Sequence, residues 1–314
     1  MPFVCQDRAV ALSKLGHDVH VITTDHATLR GTREIDGVTV HHLNVLSQQY
    51  SAEFAMQCND LCRSLNPDII HSDSLDINRR WWCEFSCMKV VTLHGFSWGD
   101  FLTRWNLFCM GRRSSPTFNG NDMMRERNAI NTFDRVIGVS RHEHWMLLDL
   151  FGLPQSWLVY NPIDPIFFRE PLVPPPTKRF ICAAISGHGE RMFDTAKLAA
   201  QEAGVELTIV SGYERKDMPH IYDHSTALIV PTAYAQGYDL TVAEAHARRR
   251  PVIASATGSY LRETEVNGWI TTVPMGDLRA WTIALKRVQP IIPMDIADHH
   301  RPEVHAANWL EAVS

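Results

Sequence analysis

Four prolines fall within six residues at Pro171-Leu172-Val173-Pro174-Pro175-Pro176. Proline fixes φ and removes a backbone donor, so such a run enters neither a helix interior nor a central strand. It reads as a stiff extended linker, residues 169–177, between two folded parts. On both sides of it, short Val- and Ile-rich runs alternate with amphipathic stretches. Uninterrupted apolar strands alternating with helices specify parallel sheets covered on both faces, an α/β fold. The chain has 314 residues. That leaves about 150 for each part, the usual size of a domain.

In the first part the pattern predicts strands at Val19–Thr23, Val38–Leu43, Asp68–His71, Lys89–Leu93, Arg135–Val139 and Trp157–Tyr160. Helices are expected at Val4–Leu15, Tyr50–Ser64, Met123–Asn131 and Arg141–Phe151. The second part repeats the plan. Its strands are expected at Phe180–Ile185, Glu206–Val210, Ala227–Val230, Val252–Ala254 and Trp269–Val273, with helices at Asp194–Ala203, Met218–Tyr222, Thr241–Ala247 and Asp277–Val288. This describes two Rossmann-like domains, 1–168 and 178–298, followed by a closing segment, 299–314. Ligands of such sheets bind at the carboxyl ends of the strands, which here line a cleft between the domains. Residues 111–121, GRRSSPTFNGN, read as a polar, mobile loop.

Composition narrows the function classes. A hydrophobic fraction of 45% and a net charge of −5 exclude a disordered chain. No window offers the roughly 18 to 20 uncharged apolar residues of a membrane span. Asp7, Arg8 and Lys14 in the first helix argue against a secretory signal. The acidic balance disfavours a dedicated nucleic-acid binder. Seven cysteines, an odd number, fit the reduced thiols of a cytoplasmic protein. Cys58/Cys62 and Cys83/Cys87 are spaced by four, which sets both thiols on one helix face instead of in the tight Cys-x2-Cys turn of a zinc knuckle. No metal site is expected.

The stretch from Val230 to Ser255 carries most of the chemistry. A strand ends at Pro231, a loop holds Gln236-Gly237-Tyr238-Asp239, and a helix opens near Leu240. Gly237 allows close backbone approach, and the free N–H groups of a first helical turn suit a pyrophosphate. Glu244 lies one turn into that helix, where a carboxylate can accept hydrogen bonds from vicinal ribose hydroxyls. A plain βα loop with a dipole-matched Glu has the same spacing.

This stretch resembles the donor-site signature of glycosyltransferase family 4, retaining enzymes of the GT-B fold. The matching residues are Pro231-Thr232, Gln236-Gly237-Tyr238-Asp239-Leu240, Glu244-Ala245 and Pro251-Val252-Ile253, followed by Gly258, Glu263 and Asn267-Gly268. Collinear matches upstream are Ser13–Thr23, Pro67–His71, Thr92-Leu93-His94-Gly95, Asp134–Ser140 and Tyr160–Asp164. The resemblance implies a role for each. Glu244 holds the donor ribose, and the backbone at Tyr238–Leu240 holds the phosphates. Gln236 faces the transferred sugar. His94 lies at the cleft floor beside the sugar and the leaving phosphate, with His71 supporting it from behind. The closing segment crosses back to the first domain as a helix.

Three positions depart from the family pattern. Gln236 replaces a Glu and brings no charge. Asp239 replaces a Gly and sets an anion near the pyrophosphate, which is expected to face away. The basic segment that neutralises the leaving diphosphate is reduced to Ser186–Met192, where Gly187 and His188 are donor-binding candidates, Arg191 stands in for a Lys and His188 is a second cation, a plain turn being the alternative for the glycines.

The implied activity is transfer of a sugar from a UDP- or GDP-sugar to a hydroxyl with retention, without cofactor or metal, in the cytoplasm or peripheral to the membrane. The acceptor is open between a glycan, a lipid-linked sugar, a small molecule and, as in phage enzymes, a DNA base. Trp81, Trp82, Trp98 and Trp105 could stack on it, and Arg104, Arg112, Arg113, Arg125 and Arg127 form the only basic cluster nearby. The rivals are a catalytically silent homologue, acting as partner subunit or sugar-binding module, and a sugar-nucleotide epimerase. In the family a first strand and a Gly-rich loop precede the helix that opens this sequence. The expectation is therefore that the strands at Val19–Thr23 and Asp68–His71 pair directly or that another segment fills the slot, the alternative being a longer natural chain.

Overall fold

The first half of the chain runs α1 (Pro2–Lys14), β1 (His20–Thr24), β2 (Gly31–Ile35), β3 (Val38–Leu43), α2 (Ala52–Leu65), β4 (Ile69–Ser72), β5 (Met88–Leu93), α3 (Ser97–Cys109), α4 (Gly120–Ile130), β6 (Arg135–Gly138), α5 (Arg141–Trp145) and β7 (Trp157–Leu158). The second runs β8 (Arg179–Ala183), α6 (Phe193–Ala203), β9 (Glu206–Val210), α7 (Met218–Asp223), β10 (Ala227–Val230), α8 (Leu240–Ala247), β11 (Val252–Ser255), α9 (Gly258–Thr264), β12 (Ile270–Val273), α10 (Leu278–Arg287) and α11 (Pro302–Val313). The computed structural model describes residues 2–24, 31–43, 45, 51–73, 75, 81–111, 116–117, 119–169, 179–183, 192–235, 237–264, 268–289 and 294–314.

The second half builds one all-parallel sheet in the order β12-β11-β10-β8-β9. Every residue of β10 and β11 is buried, as continuous apolar strands covered on both faces must be. One face is covered by α6 and α10 through Ala196, Ala199, Trp281 and Leu285, the other by α7 and α8 through Tyr222, Val242 and Ala245. At the end of α8, Arg248 grips Asp223 of α7 with two hydrogen bonds, at 3.0 and 2.5 Å. Both partners are buried, so this bond ties α7 firmly to α8.

The first half holds a parallel sheet, β4-β5-β6-β7, and a smaller one, β1-β3-β2. In the smaller sheet β2 runs antiparallel, a strand the parallel-sheet pattern misses. Its turn is Asp36-Gly37 with φ of 50° and 80°, the two-residue hairpin that Asp-Gly favours. Direct pairing of the strands around 19–23 and 68–71 is not formed among the described residues. β1 takes its ladder from β3 and β4 from β5. Instead, α1 reaches the end of β4 through side chains, Arg8 and Cys5 both bonding to Asp73.

Three more expectations change. Helix α3 was not foreseen. The polar loop placed at 111–121 gives way to α4 from Gly120, capped by Asn119, while residues 112–115 and 118 lie outside the described set. The strand expected at 157–160 is two residues long, because Tyr160 and Asn161 give their carbonyls to His305 and His300 at 2.7 Å. Helix α11 packs Ala306, Trp309, Ala312 and Val313 against Ala11 and Leu12 of α1 and against Val90 and Ile137 of the first-half sheet. The linker residues 170–178 lie outside the described set.

Candidate functional site in the interdomain cleft

The loop between β10 and α8 leaves the sheet at Pro231 and meets the other half of the molecule at once. Asn106 Nδ2 of α3 donates to the Ala233 carbonyl at 3.1 Å, and Thr103 Oγ1 accepts the Ala235 amide at 3.0 Å. From its own side, Thr257 Oγ1 donates to the Tyr234 carbonyl at 3.0 Å, and a Cβ at Gly258 would collide with the Ala235 carbonyl. Gly237 has φ +73°, and a Cβ there would lie 3.1 Å from the His94 carbonyl oxygen. Glycine is required at this point for conformation and for space. The end of β5 and the 233–237 loop therefore touch across the cleft.

Asp239 is the N-cap of α8, its Oδ1 accepting from Thr241 N at 3.2 Å and from Thr241 Oγ1 at 2.8 Å. Its carboxylate lies at the helix N-terminus, the place an anion favours. Tyr238 is buried, stacked on His300 with ring centres 5.2 Å apart and edge-on to Tyr160. Its phenol is pushed well above the usual range, first by burial and then by the nearby Glu263 carboxylate. Leu240 opens α8 and packs on the second-half core.

Glu244, one turn further, is buried and accepts a 2.9 Å hydrogen bond from Tyr222 Oη. Burial pushes its carboxyl up to about 7, against the pull of the Tyr222 bond and of the Arg215 guanidinium. Arg215 itself donates to Asp7 of α1 at 2.7 Å, a further tie between the halves.

At the end of β5, His94 Nε2 lies 3.6 Å from Asp73 Oδ1 and has no hydrogen-bond partner among the described residues. Asn161 approaches its Nδ1 at 3.5 Å. Asp73 is the hub here. Arg8 Nη1 donates to it at 2.5 Å and Cys5 Sγ at 2.8 Å, and the Arg8 charge leads the neighbours that hold its carboxyl well below the usual range despite burial. His71 pairs with Thr92 Oγ1 at 2.8 Å beside Arg8, and burial lowers it to about 3. Arg8 Nε also donates to His305 Nε2 at 3.0 Å, which fixes His305 as the neutral tautomer that donates to the Tyr160 carbonyl.

Glu143 of α5 faces the loop from the first half. It is fully buried, its Oε1 accepts the Gly237 amide at 2.6 Å, and Ser140 Oγ donates to its Oε2. Burial pushes its carboxyl up to about 7. Glu263 of α9 answers in the other direction, accepting the Arg141 amide at 3.0 Å and the Tyr160 hydroxyl at 2.9 Å.

The structure thus brings together His94, Gly237, Tyr238, Asp239 and Leu240 around one cleft, with Glu244 beneath the loop. Gln236, Gly187, His188 and Arg191 lie outside the described residues. Sequence reasoning missed Asp73, Arg8, Tyr222 and Glu143. Only Glu143 left a signal, the Ser140-x-x-Glu143 capping pattern. Trp82 is 1% exposed and belongs to the core, whereas Trp105 is 44% exposed. Burial pushes the Cys58 and Cys62 thiols up to about 12 and 11. Among the described residues no group of three or more metal-ligating side chains converges, and no helix is long and apolar enough to cross a membrane.

The family model described as Glycosyltransferase Family 4 matches residues 3–167, and that described as Glycosyl transferases group 1 matches residues 174–289. No curated protein matches the sequence. Among solved structures, sucrose-phosphate synthase from Thermosynechococcus elongatus aligns with a TM-score of 0.71 at 16% identity, over 99% of this chain and 88% of that one. The catalytic domain of starch synthase IV from Arabidopsis thaliana, bound to ADP and acarbose, gives 0.63 at 13%, over 99% and 94%. Anabaena HepE, in complex with UDP and glucose, gives 0.55 at 12%, over 88% and 81%. At such identities the likeness is one of fold. With the family match covering more than half of its residues, this chain belongs to glycosyltransferase family 4 and is a glycosyltransferase of the GT-B type.

Proposed function

We propose that the protein moves a sugar from a nucleotide-sugar donor to a hydroxyl acceptor with retention of configuration, using neither metal nor further cofactor. The observation that carries this reading is the buried Glu244, set one turn into α8 behind the Gly237 loop and held by Tyr222. Burial of this carboxyl still outweighs the Tyr222 bond and the Arg215 charge, and donated ribose hydroxyls would offset that cost. In this account the amides of Tyr238–Leu240 hold the phosphates and Gln236 meets the sugar. Gly187 and His188 contact the donor, and Arg191 with His188 neutralises the leaving diphosphate, the work a metal does elsewhere. His94, whose buried Nε2 has no hydrogen-bond partner among the described residues, faces the sugar in this account. The bound UDP and glucose of HepE agree with such a donor.

The test is donor turnover with a panel of UDP- and GDP-sugars, with and without a chelator, and NMR of the product's anomeric proton. Release of nucleoside diphosphate and a product of unchanged anomeric configuration, both indifferent to chelator, are expected. An inverted product or a metal requirement would refute the corresponding part. A second reading, the catalytically silent homologue, draws on Glu143 and Asp239, two carboxylates that occupy the Gly237 amide of the donor loop and the Thr241 amide in the first turn of α8. Binding without turnover across the whole panel would favour it.

A further inference from the structure

We propose that Glu143 is a positioning residue for the transfer: from across the cleft it holds the Gly237 amide, so that the donor loop takes its working shape only when the two domains close. This rests on the reading of the loop as the donor site.

The local sequence makes the arrangement specific. In an ordinary Ser-x-x-Glu capping box the Glu turns back to the amide of its own N-cap residue. Ser140 does cap α5, accepting from the amides of His142 at 3.1 Å and Glu143 at 3.3 Å. The Glu143 carboxyl, however, accepts the Ser140 hydroxyl on one oxygen and reaches over the cleft to Gly237 with the other. It thereby bonds an amide 94 positions away in sequence. Gly138 makes the approach possible, because a Cβ there would press on the His144 amide at 2.8 Å and force α5 away from β6.

Full burial of a carboxyl with no cation among its described partners is costly, and burial raises the Glu143 carboxyl accordingly. What the bond secures is the position of Gly237, bent to φ +73° against the His94 carbonyl. The Gly237 amide is not one of those assigned to the donor phosphates, so Glu143 can hold it while Tyr238–Leu240 serve the ligand. Because helix and loop belong to opposite domains, opening the cleft breaks the bond and frees the loop.

The test compares the full-length wild type with E143A, E143D and E143Q. Hydrogen exchange across residues 233–242 is measured without ligand, and steady-state kinetics with the nucleotide sugar the wild type turns over. A lost hydrogen bond to a carboxyl predicts about tenfold faster exchange in E143A and a donor KM raised about tenfold, with kcat changed far less. E143D, too short to span the gap, follows E143A. E143Q keeps an oxygen for Gly237 and can donate to Ser140, so it restores both quantities toward wild type. If E143A fails to fold, E143D against E143Q gives the same contrast. Unchanged loop exchange in E143A and E143D, tighter donor binding in either, or an E143Q as impaired as E143D would overturn the proposal. If the wild type turns over no nucleotide sugar, the functional reading fails, and the exchange comparison still decides whether Glu143 sets the loop.

Discussion

Tyr222 gives its phenolic hydrogen to Glu244 Oε2 at 2.9 Å, with both side chains buried beneath the α8 N-terminus. Burial raises the Glu244 carboxyl to about 7, and the Tyr222 bond is the first force pulling it down. A ligand that donated further hydroxyls to the same carboxylate would pull it down more. Nucleotide binding below pH 7 should therefore expel a proton from Glu244.

Tyr222→Phe removes that bond and leaves Glu244 protonated to higher pH. Nucleoside diphosphate binding at pH 7 should weaken by about 1 kcal/mol. At pH 8.5, where the carboxyl ionises in either protein, the gap should narrow. Calorimetry at the two pH values checks this, and an equal gap at both would show that ionisation of Glu244 is not the link.

Asp239 serves α8 as its N-cap but brings a negative charge to the amides assigned to the phosphates. Asp239→Gly should cost only a few tenths of a kcal/mol in stability, whereas Asp239→Ala should cost about 1 kcal/mol. Donor binding in the Gly variant should be preserved or improved. Loss of binding there would assign Asp239 a direct contact with the donor.

Gly237→Ala places a Cβ 3.1 Å from the His94 carbonyl at φ +73°. Strain of about 1–2 kcal/mol is expected. It should appear as weaker donor binding and faster exchange of the loop amides, because the cleft cannot close as far. A variant with wild-type affinity would show that loop and β5 do not meet in the donor complex.

Acid should destabilise the fold, and the sign follows from two opposed groups. Burial lowers His71, His246 and His305 to about 3 and His142 and His299 to about 4, from an ordinary 6.5. Their contribution is complete above 6.5 and is lost as pH falls toward 3–4, where only the unfolded chain binds the proton. Glu143 and Glu244, raised from 4.5 to about 7, act the other way and destabilise as pH rises through that window. Five histidines outweigh two carboxyls, so Tm should fall steadily from pH 6.5 to 5. A Tm that rises over that range would contradict the neutral, buried state of these histidines.

The strands β10 and β11 and the Gly237–Glu244 stretch were legible in the sequence because both are local patterns, one an apolar run and the other a fixed spacing from loop to helix. The β2 hairpin was legible in principle, since Asp36-Gly37 announces it, but its strand is exposed throughout and carries no apolar alternation. Asp73 was beyond sequence reasoning. Its partners come from two elements distant in sequence, Cys5 and Arg8 from α1 and His94 from the end of β5, and only the packing of α1 and β5 on the end of β4 brings them together. Tyr222 reads as one more apolar residue of α7 until α8 is laid beside it. Arg248, one of three consecutive arginines, reads as surface charge until Asp223 is seen opposite.

Glu244 carries the functional account, and calorimetric titration of UDP and of GDP into the wild type, Glu244→Gln and Glu244→Ala decides it. The Gln variant keeps the volume and an acceptor for Tyr222, so its Tm reports whether the fold is intact. The account predicts that the nucleotide the wild type binds is held more weakly by both variants, by about 1.5–3 kcal/mol, the range for hydrogen bonds to a charged group. Equal affinity in all three proteins, with Glu244→Gln folded, would contradict it.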